Sequence, residues 1–132
     1  MWAKYLVVAL GGAAGAVTRY AVGGWAQARF GSGWPYGTFL INISGSFVLG
    51  LFATLALRCA WSEYWRLLIA MGFLGAYTTF STFTFESLQL ISEGKQYRAA
   101  ALNMVGSRVV GFLAAYLGVV TARLLLALRG RL

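Results

Sequence analysis

This chain of 132 residues has no histidine, no aspartate and a single cysteine, Cys59. Transition-metal sites therefore lack their usual ligands and nucleophile–base triads lack their base, so no enzymatic chemistry is expected. A lone thiol cannot close an intrachain disulfide, and Cys59 reads as a small apolar residue at the end of a hydrophobic segment. Charge is scarce as well: 11% of residues are charged, only three are acidic, and 60% are hydrophobic. A mean hydropathy of +0.72 is far too apolar for an ordinary soluble domain. What remains is an all-α integral membrane protein.

A spanning helix takes ~20 mostly apolar residues, and Gly, Pro and charge clusters divide the chain into four such blocks. They fall at about 5–27, 37–57, 67–91 and 99–122, with ends set to within ~2–4 residues. The connections are short, so residues 1–132 read as one four-helix transmembrane domain. No internal repeat is visible, so any two-fold architecture must come from two chains rather than two halves. Met1 to Lys4 and the small residues Ala14-Gly15-Ala16 resemble a signal peptide, but the apolar stretch continues to Trp25 and is expected to stay as the first span.

The net charge of +8 does not read as a nucleic-acid surface, because the basic residues are dispersed at span ends. Four crossings place Lys4, Arg58, Arg66, Arg123, Arg129 and Arg131 on the side of the termini, against Arg29, Lys95 and Arg98 opposite. This is a modest bias towards cytoplasmic termini.

Polar residues recur at helical spacing inside these apolar blocks. Gly11, Gly15, Arg19 and Gly23 share a stripe, the glycines as a close-packing seam and Arg19 either snorkelling or lining a vestibule that concentrates anions. Thr38, Asn42 and Ser46 form a second stripe, which serves either as interhelical glue or as a row of donors along a path. In the third span Thr78, Thr82, Glu86 and Gln89 follow one face while Phe80 and Phe83 share its neighbour. In the fourth, Asn103, Ser107 and Gly111 complete the polar lining. Arg108, near mid-span, is the oddity, and Glu86, the only carboxylate well inside a span, is the first partner to look for.

The run Gly72-Phe73-Leu74-Gly75-Ala76-Tyr77-Thr78-Thr79-Phe80-Ser81-Thr82-Phe83 resembles, nearly letter for letter, the third-helix signature of the small fluoride channels of the Fluc, or CrcB-type, family. Gly37-Thr38-Phe39-Leu40-Ile41-Asn42-Ile43-Ser44-Gly45 is similar to its second-helix motif, and Gly11 to Tyr20 to its first helix. The resemblance implies a third helix broken near Gly75 to Thr78 and an antiparallel, dual-topology homodimer, or a pairing with an inverted homologue. It implies two pores shared between subunits of a cell-membrane protein that exports fluoride passively. Phe80 and Phe83 would form the constriction with Asn42, Ser81, Thr82 and Thr84 would flank the path, and Arg19 would line a vestibule. The carbonyls of Gly75 and Thr78 from both chains would hold one structural sodium ion that is not transported.

Two other readings stand beside it. A proton-coupled transporter of the small multidrug type would use Glu86 as its relay, although such transporters carry that glutamate in the first span, where this chain has none. A non-conducting assembly subunit would leave the polar stripes as glue.

Overall fold

A computed structural model describes residues 2–130. Among these residues, four helices are long and apolar enough to cross a membrane: α1 (Trp2–Phe30), α2 (Tyr36–Arg58), α3 (Glu63–Ser92) and α4 (Tyr97–Arg129). Each extends past the span read from hydropathy at both ends, since a helix does not stop where the hydrocarbon does. Arg131, counted above on the side of the termini, lies outside the described residues.

The punctuation is local chemistry. The sole proline, Pro35, sits at the N-cap of α2, where the missing amide costs no hydrogen bond. Gly31 ends α1 with φ +81°, its N–H bonded to the Gln27 carbonyl at 2.9 Å. Only glycine takes that left-handed conformation without strain.

Two helix pairs approach backbone to backbone. A methyl added at Gly11 or Gly15 of α1 would strike the carbonyls of Leu68 or Phe73 in α3, and one at Gly72 would strike the Val8 carbonyl. In α2 and α4, Gly50 meets the Ala115 carbonyl and Gly118 the Phe47 carbonyl in the same way. This is small-residue packing of the kind that replaces hydrophobic burial in lipid. Gly23 lies outside that seam, against the Ile41 side chain and the backbone at Gly37. The centre of the bundle is Ile41, Leu74 and Tyr77, with Val22, Ile69 and Phe73 packed on them.

Neither α3 nor α4 is regular. Leu67–Leu74 and Leu102–Gly106 are wound as π-helix, a local widening that often accompanies function. After one helical turn, Gly75–Tyr77, the chain opens at Thr78 (φ −77°, ψ 154°) and Thr79 (φ −148°, ψ 118°) before Phe80–Ser92 resumes the helix. The break thus lies at Thr78 and Thr79, at the end of the Gly75 to Thr78 stretch read from sequence. Trp2, Tyr5, Trp61 and Trp65 cluster at one end of the bundle and Trp25, Trp34, Tyr36 and Tyr97 at the other, two aromatic belts at the span limits.

Candidate permeation pathway

The break is held open by a side chain from another helix. Thr79 N–H donates to Asn42 Oδ1 at 2.8 Å, and Asn42 Nδ2 donates to the Thr79 carbonyl at 3.0 Å. The amide of α2 thus stands in for a peptide group. Thr79 Oγ1 then accepts from Thr82 N–H at 3.3 Å, capping the second half of α3. Thr78 folds back, its hydroxyl donating to the Leu74 carbonyl at 2.9 Å.

Because the Thr79 N–H is given to Asn42, the Gly75 carbonyl loses its i+4 donor, and the end of the first half-helix presents carbonyl oxygens. The second half presents the N–H groups and positive dipole end of its first turn, at Phe80 and Ser81. Asn42, read from sequence as a donor along a path, spends its oxygen and one of its two N–H groups on this break and keeps one N–H for anything else.

On one side of the break lies a vestibule of about 1200 Å³, lined by Arg19, Thr38, Thr79, Thr82, Glu86 and Gln89 among others. Arg19 therefore does reach a cavity, and Thr82, Glu86 and Gln89 do share a face. Thr78 does not join them, because the break rotates it out of their helix. Glu86 Oε1 accepts from the Thr38 hydroxyl at 2.9 Å, while Oε2 is buried without a partner among the described residues. Glu86 is not the partner of Arg108: the two line different cavities.

On the other side lies a cleft of about 320 Å³, lined by Asn42, Ser46, Gly75, Thr78, Phe80, Phe83, Ser107 and Arg108 among others. Thr79 lines both cavities, so the break is the place where they meet. The Phe80 and Phe83 rings stand 5.8 Å apart at 37°. Phe83 is 6% exposed and Phe80 72%, so Phe80 turns an open ring out of the monomer.

The remaining site residues divide. Ser107 lines the cleft and donates to Asn103 Oδ1 at 3.1 Å. Asn103 itself is fully buried: its Nδ2 donates to Ser87 Oγ at 2.9 Å, and Ser87 donates to the Phe83 carbonyl at 2.8 Å. An amide inside hydrocarbon is stabilised by such bonds, and here they tie α4 to the helix that carries Phe83. Ser81 is exposed, 3.4 Å from Thr79 Oγ1. Thr84 lines neither cavity and donates its hydroxyl back to the Phe80 carbonyl at 2.9 Å. Sequence reasoning did not single out Thr79, Ser87 or the Ser44–Tyr77 hydroxyl pair at 2.9 Å. The density of hydroxyls was the only signal, and it did not say which would be spent on structure.

Four membrane-length helices, one of them broken where an amide staples it and two cavities meet, define a multi-pass membrane protein of the channel and transporter class. The chain belongs to the CrcB family: the family described as CrcB-like protein, Camphor Resistance (CrcB), matches residues 6–119. It is 49% identical to a protein of Acidobacterium capsulatum over 125 residues, covering 94% of this chain and 99% of that one. It is 50% identical to one of Chloroflexus aurantiacus, covering 86% of this chain and 90% of that one. A protein of Sulfurihydrogenibium sp. is 43% identical, with 92% and 98% covered. All three are named fluoride-specific ion channel FluC, a channel rather than an enzyme.

Proposed function

We propose that this protein is a fluoride channel that lets the ion leave the cytoplasm passively and so keeps its concentration down. The observation that carries the reading is the α3 break, pinned by Asn42 between two cavities and flanked by Phe80 and Phe83. A small, strongly hydrated anion crosses a narrow passage only if donors replace its lost waters stepwise. The hydroxyls of Thr82 and Ser46, the spare Asn42 N–H and the N–H groups of Phe80 and Ser81 at the start of Phe80–Ser92 are such donors. Ring edges carry partial positive charge and contact an anion without holding it as a full charge would. The names of the relatives supply the identity of the ion.

In this reading two copies pair antiparallel. The exposed ring of Phe80 and the shallow second cleft support it, since both leave polar and aromatic surface that a second chain would cover. Symmetry then makes two pores. Gly75 and Thr78 line that cleft, and the Gly75 carbonyl has lost its helical donor, so hard oxygen ligands suited to sodium stand where two copies would meet. Sodium would supply charge compensation for carbonyls brought together across the interface.

Purified protein in liposomes tests the reading: fluoride efflux should be passive, exceed chloride efflux and persist without a proton gradient. Efflux that requires a proton gradient would instead favour the transporter built on Glu86, whose unpartnered Oε2 is the feature a relay would need.

A further inference from the structure

Arg108 stands well inside α4, roughly 16 Å along the helix from Tyr97 at 1.5 Å per residue. A guanidinium at that depth faces protein or water rather than acyl chains. Arg108 is exposed in the monomer and lines the second cleft beside Asn42, Phe80, Phe83 and Ser107.

The chain holds three acidic residues in all. Glu63 is paired with Lys4 at 2.6 Å, Glu86 holds the Thr38 hydroxyl, and Glu86 and Glu93 both line the vestibule. No carboxylate lines the second cleft, which leaves a fixed positive charge among hydroxyls, ring edges and one spare amide donor. Among the described residues, no carboxylate stands as the counter-charge of Arg108.

Resting on the fluoride-channel reading above, we propose that Arg108 is an anion-contacting residue: its guanidinium holds the permeating halide in the cleft beside the Phe80 ring. Five N–H donors in a planar fork replace several waters of a small anion at once. A fixed positive charge in the cleft raises the local anion concentration ahead of the constriction. Low fluoride on the side from which the ion leaves is where this matters most, because capture then limits the rate.

The test is fluoride efflux from liposomes carrying the full-length protein, with dimer mass measured in detergent alongside. Arg108→Gln keeps polarity and nearly the length but removes the charge, and should slow efflux at low fluoride roughly tenfold, the lower end of electrostatic focusing, with dimers intact. Arg108→Lys keeps the charge at neutral pH and should lose its rate relative to the parent protein as pH rises towards about 10, where an amine deprotonates and a guanidinium does not. Efflux from Arg108→Gln equal to the parent overturns the proposal. So does a pH-independent ratio for Arg108→Lys, and so does loss of dimers in Arg108→Gln with that ratio flat, which would make Arg108 interfacial glue. A parent protein that passes no fluoride overturns the channel reading itself, and Arg108 with it.

Discussion

Among single residues, Asn42 does the most with the fewest atoms, because one amide closes two hydrogen bonds to the backbone of a helix it does not belong to. Asn42→Ala leaves the Thr79 N–H without a partner, a penalty of about 1–3 kcal/mol for the one buried group, while the Thr79 carbonyl keeps the first bond of the helix it caps. The expected result is a lowered thermal midpoint together with slowed fluoride efflux, read by differential scanning in detergent and a fluoride electrode on liposomes. Phe80→Ile and Phe83→Ile should separate from it: both remove a ring edge, both should abolish efflux, and neither should prevent dimers from forming. Efflux at the parent rate from either would remove the rings from the pathway. Sequence made the Asn, Phe and hydroxyl cluster legible, because such a mixture has no use on a lipid-facing helix. It did not separate Asn42 as scaffold from Asn42 as path, since the bond that decides this joins residues 37 positions apart.

For the helices, the controlling fact is how closely α1 approaches α3 and α2 approaches α4. Gly15→Val puts side-chain atoms where the Phe73 carbonyl stands, and overpacking of that kind costs typically 1–3 kcal/mol. Gly24→Ala, by contrast, meets nothing within 4 Å and should be neutral or raise helix stability by up to ~1 kcal/mol. Thermal unfolding of the two variants in the same detergent checks the contrast, and equal midpoints would contradict the packing described. The i, i+4 glycine stripe announced close packing at Gly11, Gly15 and Gly23 but not its partners, which are α3 for the first two and Gly37 of α2 for the third. The π-wound stretches left no trace in the sequence, because Leu67–Leu74 is uniformly apolar and hides a change of winding. The break was placed near its true position by glycines and hydroxyls, but its last two residues depend on a cap from Thr79 and a staple from α2.

At the level of the whole molecule, Phe80 and Arg108 lie exposed beside a cleft at a depth where lipid is a poor neighbour for a guanidinium. If two copies close it around carbonyl oxygens, replacing sodium with a bulky organic cation should slow fluoride efflux and lower the thermal midpoint of the dimer. Unchanged values in both measurements would remove sodium from the assembly. The membrane class, the number of spans and the basic residues at their ends were determined by the sequence alone, because they follow from composition and period, which need no long-range contact. Which polar groups are spent on each other and which remain for an ion was decided only in three dimensions. Asn103 shows why: its amide is spent on Ser87, 16 positions away, and a hydrogen bond between distant residues is not encoded in either residue's neighbourhood.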